Sequence, residues 1–241
     1  MNRLMLICVL PLLLAVPALA AEEAPKPPWS GSLGLSFLAT TGNSDTQSLG
    51  LEFGLKRTPD PWGLEVGAKF LRATKDGVAN AERYLLSVRG TRALSDRWSV
   101  FAGASAERDT FAGFDLRGII EGGLTYKALT GPVHTLDLDG GLTWTKENPV
   151  VGDNRSFVGG ILGAAYQWTI SKTSAFTEKL RWYPDFDQTS NWRATSETAL
   201  KASLSDTFAL KAAYEVRYSN QPIPGYRKTD TASTVSLVAS F

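Results

Sequence analysis

Side chains able to perform acid–base or nucleophilic chemistry are scarce in this sequence. It has one histidine, His134, and one cysteine, Cys8. Hydrolytic centres that pair serine or aspartate with histidine need an imidazole as base, and transition-metal sites need clusters of histidine or cysteine. His134 follows the turn Gly131-Pro132 and shares the parity of Leu136, so it reads as a satisfied interfacial residue and not as a general base. Acidic residues come close together at Asp109 with Asp115, Asp153 with Asn154, and Asp185 with Asp187. Such spacing suits a hard cation like calcium, but no liganding periodicity accompanies it, and these residues read as solvated turn acids. The expectation is a protein that is not an enzyme, with no catalytic residue, metal or cofactor.

The start of the chain predicts export. Met1-Asn2-Arg3 is positively charged, Leu4 to Leu14 is an apolar run of about eleven residues, and Ala18-Leu19-Ala20 has the small-x-small form of a signal-peptidase site. A spanning helix needs ~20 apolar residues, so 1–21 is read as a cleaved signal peptide. Residues 22–28, rich in alanine and proline, are read as a flexible leader, and 29–241 as one domain. Cys8 falls inside the signal, which leaves the mature chain without thiols or disulfides. Charge is balanced, 25 Lys and Arg against 24 Asp and Glu, so nothing advertises a nucleic-acid partner.

From Trp29 onward the hydrophobic pattern has a period of two, as in strands. Leu49, Leu51, Phe53 and Leu55 oppose Glu52 and Lys56; Tyr84, Leu86 and Val88 oppose Arg83, Ser87 and Arg89; Phe208, Leu210, Ala212, Tyr214 and Val216 oppose Lys211, Glu215 and Arg217. About twelve such runs are expected, near 30–40, 47–58, 62–74, 82–94, 97–109, 115–128, 133–146, 156–170, 173–184, 191–204, 207–219 and 229–241. Short turns such as Pro59-Asp60-Pro61, Ser95-Asp96-Arg97 and Ser205-Asp206-Thr207 alternate with longer loops, including 75–81, 146–155, 185–190 and 220–228. Short turns on one rim and long loops on the other predict an all-β, antiparallel, up-and-down transmembrane barrel of the bacterial outer membrane.

The polarity of the two faces decides between this and a soluble barrel. Trp62, Trp98, Phe176 and Phe208 each follow a short turn on the apolar face, while Tyr84, Trp144, Trp182, Trp192 and Tyr218 lie near the long loops; two aromatic girdles are expected. Runs of ten to thirteen residues suit a tilted crossing of ~25 Å. One residue fits poorly: Glu178 has lipid-facing parity between Phe176 and Leu180, with Ser196 and Thr198 on the same face. Either a bulge near Lys179 changes the register, or Glu178 lies close to the interface.

The opposite face then lines a lumen. It carries Glu52, Glu65, Glu107, Glu121, Asp137, Asp139, Glu197 and Glu215 against Lys56, Lys69, Arg83, Arg89, Lys127, Lys179, Arg181, Lys201, Lys211 and Arg217. With the signs nearly balanced, two outcomes are open: a salt-bridged network that fills the barrel, or a narrow wet pore with weak selectivity.

Thr40-Thr41-Gly42-Asn43-Ser44-Asp45-Thr46, Leu180-Arg181-Trp182-Tyr183-Pro184, and the close from Tyr218-Ser219-Asn220-Gln221-Pro222 through Gly225 and Lys228-Thr229-Asp230-Thr231 to the terminal Phe241 resemble the bacterial salt-induced outer membrane proteins, a domain of unknown function. The resemblance spans about Trp29 to Phe241. It implies an outer-membrane barrel linked to salt or envelope stress and carries no reaction, ligand or catalytic residue. The expected role is a narrow channel or a structural envelope protein. The alternative is a surface module whose loops bind lipopolysaccharide, a cation or an external partner; a lipid-modifying enzyme ranks below both. Outer-membrane lipid and lipopolysaccharide are expected partners, as is the barrel-assembly machinery, through the last strand ending in Phe241. Pro184 and Pro222, which cannot donate to a ladder, are expected to follow strand ends.

Overall fold

The computed structural model describes residues 29–40 and 46–241. The signal-peptide and leader readings, 1–21 and 22–28, lie outside the described residues, as does 41–45 of the first motif that carries the resemblance. Twelve strands run in chain order: β1 Trp29–Thr40, β2 Thr46–Arg57, β3 Trp62–Lys75, β4 Val78–Ala93, β5 Trp98–Asp109, β6 Phe114–Thr130, β7 His134–Pro149, β8 Arg155–Thr169, β9 Ser174–Tyr183, β10 Arg193–Ser203, β11 Phe208–Ser219 and β12 Thr229–Ser240. Each pairs antiparallel with its sequence neighbours and β12 pairs with β1, so the sheet is a closed ring. Closure is what allows strands to stand in hydrocarbon, where no water is available to an exposed edge.

Alternation fixes the inside and the outside. Outward positions expose large apolar side chains that a soluble protein would bury, among them Leu86 at 58 %, Leu142 at 61 % and Leu237 at 46 %. Aromatic rings cluster at both ends of this band. Trp98 and Tyr126 pack 4.8 Å apart near the short turns, and Trp192 and Tyr218 pack 4.9 Å apart near the long loops. His134 sits on the outer wall at the short-turn rim, its Nδ1 2.8 Å from the Tyr166 hydroxyl and its ring stacked on Trp168. Tyr183 ends β9 directly before Pro184, and β11 ends at Ser219, ahead of Pro222.

Two loop expectations need correction, and the alternative left open at Glu178 closes. The 75–81 loop is a two-residue hairpin turn: Asp76 at φ 52° and Gly77 at φ 78° give the paired positive angles of a type I′ turn, and β4 starts at Val78, not near 82. The 146–155 loop shrinks to 150–154 because β7 runs on to Pro149. No bulge occurs near Lys179, since the registers of β9 with β8 and with β10 run without a shift. Glu178 faces outward one rung above Phe176 and Trp168, close to the girdle. Its carboxylate accepts hydrogen bonds from Ser196 Oγ at 2.7 Å and Thr198 Oγ1 at 2.5 Å. The two hydroxyls that looked misplaced on this face are its solvation shell.

Gly123 and Gly141 stand opposite each other where β6 meets β7, and a Cβ on either would run into backbone of the other strand. Glycine is required there because the two backbones approach closely.

If Leu86 faces lipid, Leu86→Arg costs about 2–4 kcal/mol near the bilayer midplane. Equilibrium denaturant titration of protein refolded into vesicles measures this; a cost near zero would turn the face inward.

Candidate functional site

The interior is held by guanidinium groups set between carboxylates. Strands six and seven positions apart in sequence meet only through the lumen, and several ion pairs do this. Arg217 of β11 reaches Glu107 at 3.2 Å and Asp109 at 2.7 Å, both on β5, six steps round the ring in either direction. Arg83 of β4 bonds Glu107 at 2.7 Å and Glu215 of β11 at 2.6 Å. Arg117 lies 3.7 Å from Glu107, whose carboxylate thus meets three guanidinium groups.

From there the network climbs toward the long loops. Arg117 binds Glu147 at 2.8 Å, Arg155 binds Glu147 at 3.0 Å and Asp185 at 3.1 Å, and Arg193 lies 3.9 Å from Glu147. Glu147 and Asp185 are buried. Asp185 Oδ1 accepts the backbone N–H groups of Asp187 and Gln188, and Oδ2 accepts Asn191 Nδ2 at 2.8 Å. Asp185 is thus a loop staple, not a solvated turn acid, and Asp109 is likewise buried against Arg217 and the Ala112 N–H. Four of the guanidiniums lie over inward-facing rings: Arg89 3.6 Å from the Phe101 centroid, Arg117 3.5 Å from Phe114, Arg155 4.5 Å from Phe157, and Arg193 5.3 Å from Tyr183. Stacking and bidentate bonding are arginine's strengths over lysine, which fits the closely paired half of the barrel.

Below lies a second group. Arg89 bonds Asp139 at 2.9 Å and lies 3.5 Å from Glu121, which Arg181 approaches at 3.7 Å; Thr125 Oγ1 donates to Asp139 at 2.6 Å. On the other wall Lys69 pairs with Glu197 at 2.5 Å, and Lys211 sits between Glu52 at 3.1 Å and Glu197 at 3.4 Å. Lys56 and Glu65 pair at 2.7 Å with both side chains half exposed. Lys201 donates to Ser240 Oγ at 3.3 Å, and Asp137 lies beside Lys127 in the register.

The structure therefore brings Glu52, Lys69, Arg83, Arg89, Glu107, Glu121, Asp139, Arg181, Glu197, Lys211, Glu215 and Arg217 together, and leaves Lys56, Glu65, Asp137 and Lys201 at the margin. Sequence reasoning missed Asp109, Arg117, Glu147, Arg155, Asp185 and Arg193. Arg117 and Arg193 share the parity of Glu121 and Glu197 and were legible; Glu147 and Asp185 fell in stretches read as loop. Among the described residues no group of three or more His, Cys, Asp or Glu could hold a metal. A cavity of ≈ 80 Å³ remains beside the small residues Gly34, Ser36, Gly50, Ala232, Thr234 and Ser236 of β1, β2 and β12.

A family model described as "Protein of unknown function, DUF481" matches residues 33–241. The chain belongs to that family. The Uncharacterized protein YdiY of Escherichia coli (strain K12) is 25 % identical over 215 residues, covering 88 % of this chain and 83 % of that protein. Among solved structures, the translocator domain of the autotransporter NalP from Neisseria meningitidis aligns at a TM-score of 0.52 and 10 % identity, over 91 % of this chain and 90 % of that one. An outer membrane channel from Pseudomonas putida F1 aligns at 0.50 and 12 % identity, over 88 % and 94 %. At such identities the likeness is one of fold, and the fold is that of outer-membrane barrels.

Removing one member of a buried ion network leaves the others uncompensated. Glu107→Ala is expected to cost about 3–5 kcal/mol of stability, and Lys56→Ala, at an exposed pair, less than about 1 kcal/mol. Denaturant titration in vesicles measures both; equal effects would mean that the interior is not the buried network described.

Proposed function

We propose that this protein stands in the outer membrane of a Gram-negative bacterium as a narrow barrel that passes water and small ions and excludes larger solutes. The placement is supported by the exposed apolar band between two aromatic girdles and by the fold shared with other outer-membrane barrels. The restriction is supported above all by Arg217 bonding Glu107 and Asp109 on the facing wall. Twelve strands enclose an interior between the filled small barrels and the wide porins, and a strut across it takes up the width.

What stays open is the strip beside β1, β2 and β12, where Gly34, Ser36, Gly50 and Ala232 project little into the lumen. Its ≈ 80 Å³ suits a few waters. Lys69, Lys211, Glu52 and Glu197 face it with both signs, so weak ion selectivity is expected. A non-enzymatic role is supported by His134 lying on the outer wall at the rim away from the buried arginines.

In planar bilayers the purified protein is expected to give steps far smaller than those of wide porins. Glu107→Ala combined with Arg217→Ala removes the strut from both walls and should raise step size severalfold. Porin-sized steps from the unaltered protein, or an unchanged step in the double variant, would contradict the proposal. Silence from both proteins would favour a purely structural barrel, for which the pairing of the interior is the supporting observation.

A further inference from the structure

Several cations on the outer wall are held by neighbours. At the short-turn rim Arg57 donates to the Trp62 carbonyl at 3.1 Å, and Arg92 lies 5.2 Å from the Trp62 ring. At the long-loop rim Arg72 pairs with Glu82 at 4.0 Å. Arg108 and Lys146 differ from these. Among the described residues neither has a hydrogen bond, ion pair or ring contact, and both are exposed. Both stand at the depth of the upper girdle: Arg108 is level with Tyr84 in the β4–β5 register, and Lys146 lies one outward position beyond Trp144 toward the loops.

β6 runs between them, and its outward residue at this level is Gly118. The registers set Ala106 against Gly118 and Gly118 against Lys146, with Arg108 two residues beyond Ala106. A Cβ on Gly118 would meet nothing within 4 Å. The two cations therefore flank a bare strip of wall two strand spacings wide, about 10 Å, within the combined reach of both side chains. Toward the membrane centre the strip continues into the exposed apolar side chains of Ile120 and Leu142. The acids of the neighbourhood leave the two cations uncompensated. Glu107, Asp109 and Glu147 point into the lumen and are held there by arginines, and Asp115, exposed at the irregularity of β6, forms an ion pair with neither. Water alone would satisfy a lysine or arginine at a membrane edge. Two of them facing one open strip at head-group depth also match a single anion that both can reach.

We propose that Arg108 and Lys146 hold the phosphate of a lipid in the leaflet on the long-loop side. The phosphate lies over Gly118, and the hydrocarbon runs down the wall past Ile120 and Leu142. Guanidinium and ammonium bring donors to the phosphate oxygens from two sides, and the apolar band below receives the chains that a free anion lacks. The proposal rests on the membrane placement above but not on conduction, since nothing in the lumen takes part.

Native mass spectrometry of the protein in detergent, titrated with the phosphorylated lipid anchor of lipopolysaccharide and with the same lipid stripped of phosphate, tests this. The phosphorylated form should bind about tenfold or more tightly, the difference of one charge-assisted contact. Arg108→Gln with Lys146→Gln should erase that preference. Gly118→Phe should erase it as well: it leaves every charge in place and sets a ring on the open strip, and it covers the case of a double variant that fails to fold. Arg57→Gln with Arg92→Gln removes the same charge at the other rim and should keep the preference. Equal binding of both lipids by the unaltered protein would overturn the site, and so would a preference that survives Gly118→Phe or is lost in the Arg57 and Arg92 variant, since either means diffuse attraction. Displacement of the lipid by millimolar inorganic phosphate would overturn the lipid as occupant. A chain that takes up no detergent would overturn the membrane placement instead, whereas loss of the preference in a detergent-bound barrel would overturn this proposal alone.

Discussion

Charges turned away from lipid into an enclosed lumen have to find partners, and this requirement organises the molecule. Taking an ionised group out of water costs several kcal/mol unless opposite charge and hydrogen bonds replace the solvent. Glu107 meets Arg83, Arg117 and Arg217, and each of those arginines holds a further carboxylate: Glu215, Glu147 and Asp109. The chain of pairs reaches from β4 to β11 and out to Asp185 in the loop after β9. Pairing ties opposite walls together and seats the 184–192 loop, whose Phe186 N–H and Pro184 carbonyl extend the β8 edge. A barrel braced in this way gives up lumen width for definition.

The outer surface obeys the complementary rule. Apolar side chains meet lipid and need no partner, so the band tolerates variety; a polar group there needs its own solvation. Glu178 shows how little suffices. Two hydroxyls on the next strand accept the task, and a site one rung from the aromatic girdle keeps the carboxylate near the interface.

Fold and facing were legible in the sequence because both follow from a period of two. Leu49, Leu51 and Phe53 opposing Glu52 and Lys56 declare a strand and its two sides at once, and a one-residue slip would invert them all. Girdle positions could be read because Trp62, Trp98 and Phe208 directly follow turn residues. Strand ends were harder. Asp76-Gly77 makes a turn of two residues where a loop was expected, since residues 78–81 mix small and polar types that alternate weakly. The ion network was half legible: parity says that Arg83 and Glu215 point inward, but not that they meet, because contacts across the ring depend on strand stagger that no local pattern encodes. Phe101, Phe114 and Phe157 beneath guanidinium groups were invisible for a related reason, as an inward aromatic looks like a break in the pattern until its cation is known.

The contact between facing walls is the claim on which the narrow interior depends, and a double-mutant cycle on Glu107→Ala and Arg217→Ala in vesicles tests it directly. A strut predicts a coupling energy of about 1–3 kcal/mol between residues six strands apart. Additivity within about 0.5 kcal/mol would mean that the two walls do not touch.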